Sequence, residues 1–199
     1  MISSIKKLFK KVFSKTSEVN YDKKIIVDRD IIYKHVIALL NTNRFENLKK
    51  YNSDKTYWAC VVLAIIEAES NFNMVSVYWE KDLGNNGYDK YTGRKYLSEG
   101  LMQLSYSDAK YYGCPFNWEL DKNKKDQDET KTIFNIANNI ECGLTILDKL
   151  VNKHGKYIFD SGNYWAVLKP SNKRHNVFIK AFEMNRLSHT IYNFNKVSK

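Results

Sequence analysis

Two glutamates directly follow the most apolar stretch of the chain. Every residue from Tyr57 to Ile66 is apolar or aromatic, and Glu67 and Glu69 come next. With no Gly or Pro inside it, the stretch predicts a helix buried on most sides, too short to span a bilayer. Apolar surroundings and the negative end of a helix dipole both raise the pKa of a carboxyl group, and a carboxylic acid that stays protonated near neutrality suits general acid catalysis. Helical periodicity does not say which glutamate has this role, and a solvated terminal glutamate is the alternative.

Length and charge limit the classes of function. The 199 residues predict one domain with a sizeable core, and 32 basic against 22 acidic side chains give a net charge of +10. Such a charge favours encounters with polyanions, such as nucleic acid, anionic lipid or cell-envelope polymers. Because the basic residues are dispersed and match no known motif, we expect no nucleic-acid partner. We expect a monomer.

The pattern of the remaining chain predicts a mostly α fold, with a helical bundle around the buried central helix. Residues 71–97 are rich in Gly, Asn and aromatic residues, which predicts an excursion of the chain as a loop or small hairpin. Residues 116–132 are polar and predict an exposed loop. The other helices are predicted at 30–50 (one or two), through Asp108 to Tyr112 in the later part of 98–112, at 133–151, after 161–162, and at 177–194.

The three cysteines form an odd set. Cys60 lies in the apolar stretch and is most simply a small buried side chain. Cys114 and Cys142 lie in less apolar surroundings and could form a disulfide in an oxidising compartment. Their spacing matches no zinc or redox motif.

The first 25 residues differ in character from residues 26–199, which we predict to be the catalytic domain. Ile2, Ile5, Phe9, Val12 and Phe13 fall at helical spacing with lysines between them. A basic amphipathic helix that contacts an anionic membrane or cell-wall polymer is one interpretation, and a disordered leader is the other. The segment lacks the apolar core of a signal peptide, so the export route stays open.

Four fragments of the sequence resemble the lysozyme-like catalytic domain of soluble lytic transglycosylases and goose-type lysozymes. They are Glu69-Ser70-x-Phe72-Asn73, the run from Ser98 through Gly100 to Leu104, Asn139-Ile140-x-x-Gly143-x-x-x-Leu147, and Tyr164-Trp165 before Ala166. The first two fragments are the most specific. Two departures are Met74 in place of the family's usual proline and the segment 164–167, where the family has Tyr-Asn-x-Gly.

The resemblance implies a lysozyme-like α+β fold, in which the excursion flanks a glycan cleft. It also implies cleavage of the β-1,4 bond between N-acetylmuramic acid and N-acetylglucosamine in peptidoglycan, at the cell wall and without a cofactor. It selects Glu69 over Glu67 as the catalytic acid. It also implies that the motif residues contact the glycan, with the hydroxyl of the late tyrosine approaching the acid. The implied substrate contacts are Ser70, Ser98, Gly100, Met102, Gln103 and Tyr164.

The resemblance leaves the fate of the sugar intermediate open. A second carboxylate about 6.5–9.5 Å from the first would activate water in an inverting hydrolysis. Asp82 and Asp89 are candidates because both lie in the predicted excursion. Without such a carboxylate, the substrate's own 6-hydroxyl can close a 1,6-anhydro product. A non-catalytic cell-wall-binding or virion structural module that keeps the cleft is the rival function.

Overall fold

The fold is built around one buried helix, α3 (Lys55–Ser70). A computed structural model describes residues 22–155, 159 and 164–197, with side chains to residue 189. The Asp54 side chain accepts a hydrogen bond from the Thr56 amide (2.8 Å) and caps the first turn. Asn71, in the left-handed conformation, ends the helix. All residues from Trp58 to Ile66 are buried, and each large apolar side chain among them contributes about 1.5–3 kcal/mol.

The described part of the chain contains six helices besides α3. The central helix packs mainly against α7 and α1, while α6 contacts α1, α2 and α4. The predicted mostly helical fold is therefore confirmed, and the predicted region 30–50 forms two helices. The elements are α1 (Arg29–Leu40), α2 (Glu46–Tyr51), α4 (Tyr106–Tyr112), α5 (Trp118–Asp121), α6 (Ile136–His154) and α7 (His175–Val197).

The excursion between α3 and α4 contains a two-stranded antiparallel sheet. Strand β1 (Val77–Trp79) pairs with β2 (Leu97–Glu99), so that Tyr78 lies opposite Ser98. The pairing continues past the strand end, because the Glu80 amide donates to the Tyr96 carbonyl (2.9 Å). The hairpin thus forms the base of the excursion and turns one face toward the end of α3.

A tight turn after β2 is anchored to α6 by Asn139. The Asn139 side chain accepts from the Met102 amide (2.9 Å) and donates to the Ile133 carbonyl (2.9 Å). Gly100 has a φ of +80°, and a Cβ there would lie 2.4 Å from the Asn139 amide nitrogen. The backbone of this turn therefore requires glycine at position 100.

A disulfide fastens α4 to α6. Cys114, just beyond the end of α4, is bonded to Cys142 of α6 (S–S 2.03 Å), and Cys60 is a buried free thiol. This bond fixes the helix that follows the turn against the helix that anchors it.

Two sequence predictions are wrong in part. The polar segment 116–132 is not simply an exposed loop, since it contains α5 and the buried Asp121. The Asp121 carboxylate accepts hydrogen bonds from Tyr106 and Thr132, which explains its burial. The helix predicted after residues 161–162 is only a 3₁₀ turn at Ala166–Leu168 in the described part of that segment. The leader lies outside the described residues up to position 21, and its boundary stays a prediction.

Candidate active site

A cleft of about 370 Å³ opens where α3 ends. Its walls come from four parts of the chain: the last turn of α3, the hairpin, the turn after β2, and the segment before the 3₁₀ helix. The lining residues are Glu69, Glu80, Leu83, Tyr96, Ser98, Gln103, Ser105, Tyr164, Trp165 and Ala166. Two carboxylates thus share one concave surface with aromatic rings and hydroxyl groups.

Glu69 is half-buried at the end of α3. Burial raises the pKa of its carboxyl group to about 7 from an ordinary 4.5, the nearby negative charge of Glu80 adds to this, and Arg174 opposes it. Near neutral pH the protonated and ionised forms are therefore both populated. This agrees with the expectation from the apolar stretch, and it makes Glu69 suited to giving and taking a proton.

The neighbouring Glu67 has a different environment. Its carboxylate accepts a hydrogen bond from the Arg29 guanidinium (2.7 Å), so it lies on the side of α3 that faces α1. Two residues along a helix differ by about 200° in direction, which separates the two side chains. Only Glu69 belongs to the cleft.

Glu80 is the second carboxylate of the cleft. It follows β1 directly, and its Oε1 atom accepts a hydrogen bond from the Ser98 hydroxyl (2.7 Å) across the hairpin. This bond fixes the carboxylate while leaving its other oxygen for further contacts. The electrostatic effect of Glu80 on the Glu69 pKa agrees with their common position.

Gln103 presents its amide at the base of the cleft in a restricted way. Its Nε2 atom donates to the backbone carbonyls of Gly100 (2.9 Å) and Ser76 (3.3 Å). The amide orientation is thereby fixed, and the carbonyl oxygen is the group that it offers to a ligand. An acceptor in this position suits the N–H of an acetamido group or a sugar hydroxyl.

The aromatic wall is held by hydrogen bonds that the sequence analysis did not foresee. The Tyr164 hydroxyl donates to the buried carboxylate of Asp108, so it does not serve Glu69 as the resemblance implied. Asp108 also accepts from the amide (2.7 Å) and hydroxyl (3.1 Å) of Ser105. Burial raises the pKa of Asp108, and these hydrogen bonds oppose that rise. Trp165 donates its indole N–H to the Met102 carbonyl (2.7 Å).

Three of the expected substrate contacts do not line this cleft. The Ser70 hydroxyl donates to the Ile66 carbonyl (3.0 Å) within α3. Met102 is fully buried, and its sulfur packs where a side chain at position 143 would otherwise be. Gly100 is buried beneath the turn that it allows. These residues shape the cleft floor, while Ser98, Gln103 and Tyr164 line the cleft itself.

Neither aspartate predicted as a second carboxylate lies in the cleft. Asp82 is on an exposed turn and is not among the lining residues. Asp89 is buried, and its Oδ1 accepts from the Ser107 hydroxyl (2.8 Å) and the Tyr91 amide (2.8 Å). Its role is to attach the excursion to α4. The carboxylate that shares the cleft with Glu69 is that of Glu80.

Sequence reasoning missed Glu80, for which the sequence carries only a weak local signal. A strand that begins at Val77 places residues 78 and 80 on the same face, because side chains alternate. The aromatic run before Glu80 indicates such a strand.

Among the described residues, no group of His, Cys, Asp and Glu side chains is arranged to bind a metal ion.

Comparison with known proteins places the chain in a family. The sequence profile described as "Transglycosylase SLT domain" matches residues 46–180, which span α2 to the start of α7 and include the whole cleft. No curated protein sequence matches the chain at a significant level. In the part of the chain that is described, no helix is both long and apolar enough to cross a membrane.

The fold is similar to solved structures of Bd0314 DslA. The wild-type form has a TM-score of 0.58 and 26% identity, with 76% of this chain and 87% of that chain covered. A glutamate-to-glutamine variant gives a TM-score of 0.56 at the same identity and coverage. A second such variant, at 23% identity and a TM-score of 0.55, covers 88% of this chain and 93% of that chain and supports the fold alone.

Proposed function

The chain belongs to the Transglycosylase SLT domain family, and we propose that it cleaves the β-1,4 glycosidic bond of peptidoglycan strands. We infer from the site that the cleavage is a hydrolysis. The family is a class of peptidoglycan-cleaving enzymes. Glu69 acts as the general acid, and Glu80 activates the attacking water. The single observation that carries the hydrolytic assignment is the presence of both carboxylates in one cleft.

Glu69 supplies the proton for the leaving group. Its pKa of about 7 keeps a large share of the carboxyl protonated at neutral pH. Transfer of that proton to the glycosidic oxygen breaks the C–O bond and leaves an oxocarbenium-like carbon. Glu69 is then ionised, and its negative charge stabilises the positive charge on the sugar.

Glu80 completes the reaction. Oriented by the Ser98 hydroxyl, its carboxylate accepts a proton from water as the water oxygen bonds to the anomeric carbon. The product has a new reducing end. Glu80 then carries one proton more and Glu69 one fewer than at the start, and exchange with solvent restores both groups.

Two solved DslA structures each carry one glutamate-to-glutamine substitution, and the two substituted positions are eleven apart in that chain. Glu69 and Glu80 are also eleven positions apart.

Product analysis tests this proposal. Mass spectrometry of the sugars released from purified cell walls should show reducing ends, and Glu69→Gln and Glu80→Gln should each abolish their release while Glu67→Gln retains it. Release of only 1,6-anhydro ends would replace hydrolysis by intramolecular capture. Binding of cell walls without any release would make the protein a non-catalytic wall-binding module.

A further inference from the structure

Tyr78 is an exposed aromatic ring on the hairpin beside the cleft. Its side chain is 61% exposed, although it is the middle residue of β1 between buried Val77 and half-buried Trp79. A single exposed tyrosine is common on protein surfaces. The strand register gives this one a particular position.

The two faces of the hairpin are clearly separated. Leu97 and Glu99 of β2, with Lys95 just before the strand, line a small recess on one side, whereas Tyr96 and Ser98 line the cleft on the other. This is the alternation that extended backbone requires. Each residue of the hairpin can therefore be assigned to one side.

Tyr78 lies on the cleft side. It pairs directly with Ser98, and residues opposite each other in an antiparallel pair point to the same face. Glu80, two residues further along, lines the cleft from that same face. Of the four side chains on this face, Tyr96, Ser98 and Glu80 form the cleft wall, and Tyr78 continues it outward.

Trp79, which pairs with Leu97, lies on the face opposite to the cleft and differs from Tyr78 in its contacts. Its ring has the ammonium groups of Lys95 and Lys81 at 4.5 and 5.2 Å from its centroid, and its indole N–H donates to the Gly87 carbonyl (3.0 Å). That ring is occupied by the excursion's own side chains. The Tyr78 ring is open to a ligand.

We infer that Tyr78 is a sugar-stacking platform, which extends the binding site to the pyranose ring next to the one held at Glu80. Two residues of a strand span about 7 Å, which places the Tyr78 ring within reach of the next sugar of a bound strand. The C–H groups on one face of a pyranose carry partial positive charge and pack against the negative face of an aromatic ring. This inference rests on the proposed function, because it takes glycan as the ligand.

Calorimetric binding with Glu69→Gln as the parent protein tests the platform without turnover. Loss of the stacked ring in Tyr78→Ala should weaken binding of a peptidoglycan octasaccharide about fivefold to tenfold. A disaccharide, which occupies the cleft alone, should bind as before. Tyr78→Phe should retain the octasaccharide affinity of the parent, because the ring and not the hydroxyl makes the contact.

Tyr111→Ala is the matched control, since this tyrosine is 74% exposed on α4 and is not a cleft residue. It should leave both affinities unchanged. Equal octasaccharide affinity in the parent and Tyr78→Ala overturns the platform while leaving the proposed function intact. A loss of disaccharide affinity in Tyr78→Ala as large as the loss of octasaccharide affinity also overturns the platform. If the parent does not bind the octasaccharide and the unsubstituted protein does not release sugars, both proposals fail.

Discussion

Replacing Glu69 with glutamine should change the pH dependence of folding stability. The folded protein raises the pKa of this carboxyl group from 4.5 to about 7, mainly by burial. Between these two values the folded state binds more protons than the unfolded state does. The free energy of unfolding of the unsubstituted protein therefore contains a Glu69 contribution that falls as pH rises through this window.

The size of the effect follows from the shift. Each pKa unit corresponds to about 1.36 kcal/mol, so the full shift corresponds to about 3 kcal/mol. This is an upper limit, because Glu69 is only half-buried and solvent screens part of the effect. Glutamine has no proton to lose in this range. The stability of Glu69→Gln relative to the unsubstituted protein should therefore increase by up to about 3 kcal/mol from pH 4 to pH 8.

Urea unfolding at a series of pH values measures this difference. Taking the difference between the two proteins cancels the titration of other groups, such as buried Glu99, whose pKa is also raised. Glu67→Gln is the matched control, because its surface ion pair with Arg29 contributes less than about 1 kcal/mol. A Glu69→Gln difference that stays constant within about 0.5 kcal/mol from pH 4 to pH 8 would refute the argument that burial raises the Glu69 pKa.

Three further changes, two substitutions and the loss of the disulfide, test the structure that supports the cleft. Lys131→Met should lower the unfolding free energy by about 3–5 kcal/mol in urea titrations. Lys131 and Glu99 form an ion pair whose side chains are 1% and 2% exposed, so the substitution would leave the Glu99 carboxylate buried without its ammonium partner. Breaking the Cys114–Cys142 bond, which closes a loop with a sequence separation of 28, should cost about 3 kcal/mol in the same assay. Gly100→Ala should destabilise by about 2 kcal/mol or more and lower wall-lysis activity, because a methyl group there meets a buried amide of α6.

Matched controls separate these effects from general ones. Lys122→Met removes an exposed ion pair with Glu119 and should cost less than about 1 kcal/mol. Gly113→Ala has a similar positive φ (+76°) but no neighbouring atom within 4 Å, so it reports backbone strain without the clash. Equal losses for Gly113→Ala and Gly100→Ala would contradict the packing argument. A neutral Lys131→Met would contradict the buried-pair argument.

The central helix and its acid could be predicted from sequence because their signals are local. An unbroken apolar run of ten residues predicts a buried helix, and the residues that follow it must lie at its end. The resemblance then distinguished Glu69 from Glu67. The structure supplies an independent physical distinction through the Arg29 ion pair of Glu67.

The second carboxylate was missed because its position depends on pairing between distant residues. Strand β1 has only three residues, which is too short for alternation to be evident without its partner. Asp89 looked equally suitable in sequence, and only the contact with Ser107 of α4 shows that it is a buried structural group. Likewise, a motif match does not say that Met102 points inward and Gln103 points into the cleft.

The pH dependence of kcat/KM tests the central claim most directly, namely that burial keeps the Glu69 carboxyl protonated for catalysis near neutrality. This parameter reports the titration of essential groups in the free enzyme. With a Glu69 pKa of about 7, glycan cleavage should fall about tenfold per pH unit above pH 7 to 8. Cleavage that stays constant up to pH 9, or a decline that begins near the ordinary carboxyl pKa of 4.5, would contradict the account.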